Sequence, residues 1–188
     1  VNIFSKNLSF LKSLHPKAYE IISNTQPSLE YEVSLSQCGL PTLSYLSIKG
    51  NKKYLLSKYD PEQEARRFIK SLDTSDTTNF IVIGIGLGYH IIELIKTTSE
   101  HSKILVIEND RSLSRLAFET NDLKQILTHP GLTLVLSDQQ QDTVEILEEE
   151  KVNFSLNGYR VIQQNSLSEV NLIKTNELLA GIKELFQA

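Results

Sequence analysis

The stretch Phe80-Ile81-Val82-Ile83-Gly84-Ile85-Gly86-Leu87-Gly88-Tyr89-His90 decides the fold. A short β-branched apolar run ending in glycine predicts a buried strand, and the apolar residues Ile91, Ile92 and Ile95 that follow fall on one helical face. The reading is therefore strand, tight turn, helix. Glycines at alternate positions let the backbone bend sharply and leave no side chain between it and a ligand, while the first turn of the helix offers free N–H groups. An open cradle for a nucleotide, phosphate or carboxylate is the expectation.

Spacing narrows the choice. The dinucleotide fingerprint G-x-G-x-x-G would need its third glycine at Tyr89, and this chain has G-x-G-x-G instead. That form is closer to an S-adenosylmethionine (SAM) site, with Gly84, Gly86 and Gly88 at the methionine end. The next apolar run, Lys103–Glu108, ends in an acid 24 positions after Gly84 (108 − 84), where nucleotide-binding folds hold a ribose. A third run, 132–136, leads to Ser137 and Asp138, placing Asp138 near a base. The acid that such methyltransferases carry two residues before the first glycine is replaced by Val82.

Outward from this centre, strands and helices alternate from 79 to 163, which implies a parallel sheet with crossover helices and a ligand at the carboxyl ends of its strands. A helix runs from Asn109 or Asp110 through Phe118, a short one covers 121–127, and a charged one covers 142–150 with Val144 and Leu147 facing inward. Tyr159–Gln163 is a fourth strand, and a helical tail follows Ser168. Upstream, Phe4, Leu8 and Leu11 mark an amphipathic helix over 2–14, and Pro16 opens a second through Ile22. Segments 30–36, 42–48 and 53–56 are short strands joined by tight turns, an antiparallel meander. The expected organisation is N-terminal helices and meander over 1–56, then a Rossmann-like α/β domain over 57–188.

Ser57-Lys58-Tyr59-Asp60-Pro61-Glu62-Gln63-Glu64-Ala65 specifies a helix start: Asp60 caps, Pro61 suits the first position, and Gln63 stands where its side chain reaches back. Ala65, Phe68, Ile69 and Leu72 make the buried stripe. Glu62, Arg66 and Lys70 form an exposed ladder.

Composition excludes several classes. A net charge of −4 argues against general nucleic-acid binding, which requires a basic face. No stretch approaches the ~20 apolar residues of a membrane span and no leader opens the chain, so a cytoplasmic location is expected. One cysteine, Cys38, cannot form an internal disulfide, and four scattered histidines give no metal-ligand spacing. His90 and Glu93 share the helix beside the glycine turn, but no nucleophile or general base stands out, so no catalytic residue is assigned. A chain that starts at Val1, contains no methionine and stops within a helical pattern is expected to be a fragment.

Two stretches together resemble the N-terminal domain of the motility accessory factor (Maf) family, bacterial glycosyltransferases that attach nonulosonic acids to flagellin. They are Ser57, Tyr59, Asp60, Pro61, Glu64 and Ala65 in the pattern S-x-Y-D-P-x-x-E-A, then Gly84 to His90 with Tyr89 and His90 closing the motif, and Val106-Ile107-Glu108. The resemblance spans residues 30–165. It implies that transfer chemistry resides in a following domain with a Gly-Pro-Ser signature, since no Gly-Pro pair occurs here. An accessory Rossmann-like module in contact with flagellin, a downstream catalytic domain or a nucleotide is then expected. A SAM-dependent methyltransferase-like domain and a non-catalytic protein-interaction scaffold, acting through helix 3–14 or the tail, are the rival readings.

Overall fold

The computed structural model describes residues 2–47, 50–137 and 140–187. Asp138, the expected base contact, and Ile48, the expected end of the second meander strand, lie outside the described residues.

The central strand is β4 (Asn79–Ile83), all five residues of which are buried. Both faces of a strand with no polar alternation must be covered, and here both are. On one side β4 pairs in parallel with β5 (Lys103–Glu108), which pairs with β6 (Leu132–Leu136). On the other it pairs with β7 (Arg160–Gln163), giving the order β6-β5-β4-β7. The chain steps outward twice and then returns beside β4. The strand order therefore reverses between the carboxyl ends of β4 and β7, the place where open α/β sheets form a crevice.

Alternation of side chains sends the sheet's apolar residues into two layers. Phe80, Val82, Ile104 and Val106 face one cluster with Ile91, Leu94, Ala117 and Phe118, from α4 (Tyr89–Thr97) and α5 (Arg111–Thr120). Ile81, Ile83, Leu105 and Ile107 face a second, with Leu147 and Phe154 of α7 (Gln140–Asn157) and Ile182 and Phe186 of α9 (Leu172–Gln187). The result is an α/β sandwich with helices on both faces of a parallel sheet, as expected.

The meander is also present: β1 (Tyr31–Leu35), β2 (Pro41–Leu46) and β3 (Lys52–Tyr54) form an antiparallel sheet in that order. The antiparallel sheet ends at Tyr54 and the parallel sheet begins at Asn79, on either side of residue 57. Core residues from both sides of it pack in one cluster, Leu11, Ile22, Leu43 and Leu55 with Phe80 and Phe118. The first two helices, α1 (Ile3–Leu14) and α2 (Pro16–Asn24), lie on α5 and on the short helix α6 (Lys124–Leu127). Asn7 locks this arrangement. Fully buried, its amide donates to Phe118 O at 2.8 Å and Asn121 O at 2.7 Å and accepts from Leu123 N at 3.1 Å, satisfying backbone groups where α5 ends and α6 begins. Arg115 does the same for the end of α2, donating to Ile22 O and Thr25 O with its guanidinium 4.0 Å from the Phe4 ring centre.

Two expectations are corrected. Helix α7 extends to Asn157, because neither glycine nor proline interrupts it before Gly158. Its inward face carries Thr143, Leu147 and Phe154, whereas Val144 is 38% exposed. Glu62, Arg66 and Lys70 on α3 (Pro61–Ser71) are exposed as expected, but Arg66 pairs across to α4 rather than along the helix, its Nε standing 3.7 Å from Glu93.

Candidate functional site

The glycine turn between β4 and α4 has the predicted backbone. Gly84, Gly86 and Gly88 have φ of +90°, +52° and +86°, and Gly88 caps α4 in the left-handed region. The space they free is another matter. A Cβ on Gly86 would lie 2.9 Å from Leu167 Cδ1, and one on Gly88 would lie 2.8 Å from Leu123 Cδ2. At both distances the facing leucine side chain would have to shift to admit a methyl group. Where the sequence leads to an open cradle, the structure places Leu167 over Gly86 and in ordinary contact distance of Gly84, with the Leu123 and Ile126 side chains beside Gly88.

Leu167 reaches this point from α8 (Asn165–Ser168), which follows β7 across the crevice. The segment is tied down at both ends. Ser166 Oγ donates to Leu55 O at 2.6 Å, and Glu169, in the 3-10 turn Glu169–Asn171, pairs with Lys53. No apolar periodicity marks Leu167 in the sequence, since it stands in a four-residue helix between serines.

Glu108, at the end of β5, stands across from the glycine turn but spends its oxygens on the protein. Oε2 accepts from Ile85 N and Oε1 from Asp110 N, both at 2.9 Å. Burial pushes its pKa up to about 7 against the pull of these amides, and the Asp110 carboxylate adds to the rise. Asp110 in turn caps α5, accepting from Ser112 N and Leu113 N, and accepts from Tyr31 Oη at 2.7 Å. Glu108 is therefore a strut between the glycine turn and the β5–α5 turn. Beside it remains a cavity of about 30 Å³, lined among others by Tyr31, Gly84 and Thr175, with room for about one or two waters.

His90 is buried too. Its Nε2 lies 3.0 Å from Gly84 O, and burial drives its pKa down to about 4, so the imidazole is neutral, donates from Nε2, and leaves Nδ1 without a partner. Glu93 turns away to Lys96 Nζ at 2.6 Å and towards Arg66. The two side chains therefore make no hydrogen bond to each other.

The second motif folds into a self-contained helix start. Ser57 Oγ accepts from Tyr59 N and Asp60 N at 3.2 Å, and Asp60 Oδ1 accepts from Gln63 N at 2.9 Å. The return bond comes from Glu64, which accepts from Ser57 N at 2.8 Å; sequence reasoning assigned that part to Gln63. Burial raises the Glu64 pKa, opposed by the Ser57 amide and the Gln164 side chain. Gln164 directly follows β7, so this contact joins the motif to the crevice. Tyr89 Oη donates to Pro41 O at 2.8 Å and anchors α4 to the meander. Among the motif residues Tyr59 is the one turned outward, 55% exposed with Lys58 Nζ 5.1 Å from its ring centre.

Among the described residues no group of three or more His, Cys, Asp or Glu is placed to hold a metal, and no helix is long and apolar enough to cross a membrane.

No protein-family profile matches the chain, and no curated protein sequence does. Among solved structures it is similar to the Maf glycosyltransferase of Magnetospirillum magneticum AMB-1, with a TM-score of 0.66 at 11% sequence identity. The similarity covers 98% of this chain and 36% of that protein's chain. At this identity it is the fold that is shared: nearly all of the present chain adopts a Maf-like architecture corresponding to about a third of that glycosyltransferase.

Proposed function

We propose that this chain is the accessory, Rossmann-like N-terminal module of a Maf-type glycosyltransferase acting on flagellin, and that it carries no transfer chemistry of its own. The observation supporting this most directly is the structural match over 98% of the chain to a Maf glycosyltransferase of which it spans only 36%. The glycine turn agrees with an accessory role, because Leu167 packs against Gly84 and Gly86 and two backbone amides already engage the Glu108 carboxylate. The S-x-Y-D-P-x-x-E-A and G-x-G-x-G-Y-H motifs then act as architectural fixtures of the carboxyl edge of the sheet.

The test is genetic and chemical. In the source bacterium, the coding region for these residues is removed in frame and flagellin mass is measured. Loss of the glycan mass with the rest of the protein still produced is the expected result. Full glycosylation without the module, or an intact gene with no transferase domain, refutes the reading.

The methyltransferase-like alternative rests on the buried Glu108 facing the glycine turn. Thermal shift separates the two: a true ligand at 100 times its Kd adds about 2.7 kcal/mol of stability. The accessory reading expects no rise with SAM. A rise of several degrees with SAM and none with CMP favours the alternative.

A further inference from the structure

Strand β6 is the outermost of the parallel sheet, and its free edge forms the floor of a trough of about 360 Å³ between α2 and α7. We propose that this trough binds an extended, basic peptide segment of a partner protein as a fifth strand of the sheet.

Backbone parity fixes which peptide groups of β6 are free. Ile104 N donates to Gly131 O and Ser137 N donates to Glu108 O, so the odd-numbered residues of this strand turn their peptide groups towards β5. In a parallel ladder the alternate residues must point theirs the other way. Leu132 C=O, Leu134 N–H and C=O, and Leu136 N–H therefore face the trough, about four ladder positions for an added strand.

An edge of this kind is normally blunted by lysine, proline or a bulge. Leu132-Thr133-Leu134-Val135-Leu136 contains no charge and no proline, and it pairs with β5 residue for residue without a bulge. The walls have instead the form of a peptide groove. Ala18 and Ile21 of α2 and Ile146 of α7 supply apolar contact for alternate side chains.

Charge selects the occupant. Glu20, Asp142, Glu145 and Glu149 line the trough against a single cation, Lys17. Asp142 accepts from Ser137 Oγ, whereas Glu20, Glu145 and Glu149 take part in no ion pair among the described residues. A second copy of the chain pairing edge to edge would bring the same carboxylates together, a like-charge arrangement that disfavours self-association. Lysine or arginine side chains on an incoming strand answer them.

The probe is a fluorescein-labelled, end-capped peptide of alternating lysine and valine, titrated into the intact chain and followed by anisotropy. Saturable binding is expected, weakening as salt rises from about 0.1 to about 1 M, where the Debye length falls from about 10 to about 3 Å. The double variant Glu145→Lys/Glu149→Lys, both exposed positions on α7, loses about tenfold or more in affinity, with an unchanged circular dichroism spectrum as the control for folding. A peptide with N-methyl groups on its pairing side does not bind. Leu134→Pro removes one outward N–H without touching the β5 ladder and weakens binding as well.

The proposal is overturned by absence of binding up to about 1 mM peptide, a negligible affinity. It is equally overturned if the glutamate–valine analogue or the N-methylated peptide binds as well, or if the charge-reversed variant binds undiminished. A dimer in sedimentation that Leu134→Pro dissolves would assign the edge to a second copy, and would also overturn it.

Discussion

Placing alanine at position 86 tests the closed glycine turn, because two separable costs arise there. Gly86 has φ of +52°, and a left-handed conformation costs an L-residue about 1–2 kcal/mol. The new methyl would also lie 2.9 Å from Leu167 Cδ1 and 3.3 Å from Cδ2. The leucine must then turn off its rotamer, adding about 0.5–1.5 kcal/mol. Gly86→Ala alone should thus lose about 2–3 kcal/mol. Leu167→Ala, at a site only 7% exposed, should lose about 2–4 kcal/mol through its cavity. In the double variant the clash disappears and the new methyl fills part of the vacated space. The combined loss should therefore fall short of the sum by about 1 kcal/mol or more, a coupling well beyond the ~0.5 kcal/mol scatter of independent sites. At this chain length each kcal/mol corresponds to about 2–4 °C in Tm. The chain has no tryptophan, so urea unfolding is followed by far-ultraviolet circular dichroism. Additivity within the scatter would refute the statement that Leu167 is seated on Gly86, and with it the closed state of the turn.

The remaining expectations concern charge and capping. Glu108, with its pKa raised to about 7, favours the folded state below about pH 4.5 and loses that contribution as pH rises through 7. His90, lowered to about 4, contributes fully above about pH 6.5 and loses its contribution as pH falls through 4. The two slopes oppose each other between about pH 4.5 and 6.5, so each substitution unmasks the other: Glu108→Gln should make stability climb with pH relative to the wild type, and His90→Gln should make it fall, read from urea midpoints at half-unit steps. Parallel pH curves for wild type and both variants would contradict the burial of these groups. Asn7→Ala should cost about 3 kcal/mol, since it strands buried backbone groups at Phe118, Asn121 and Leu123, whereas Asp60→Ala should cost only about 1 kcal/mol, a cap at an accessible helix end. Equal losses from the two would show that Asn7 is merely a surface residue.

Strands were legible wherever an apolar run ended abruptly in polar residues. The runs 103–108 and 132–136 coincide with β5 and β6, because a strand covered on both faces needs an unbroken apolar stretch and nothing else. Helix α7 was less so: with no breaker before Gly158, its length depends on packing against α9 rather than on any local signal. The glycine turn shows the difference between conformation and space. Positive φ at three alternate glycines follows from local sterics, but whether the resulting hollow stays open is decided by Leu167, some 80 residues away. The same holds for Glu108, whose place at the end of β5 follows from the apolar run, while the amides that engage it come from two different turns. Asn7 gave no warning of its role, since a lone asparagine on an amphipathic helix reads as solvated until its partners at 118–123 are brought beside it.

The bonds from Asn7 to residues 111 to 116 positions further along carry a consequence for biosynthesis. At about 5–20 residues per second, the ribosome takes roughly 5–25 seconds to make the intervening chain. During that interval the nascent first helix has α2 beside it but neither α5 nor α6 to cover the rest of its apolar stripe, which leaves it open to a holdase chaperone. Substitutions on that stripe should then alter yield in cells more than they alter the midpoint of the purified protein.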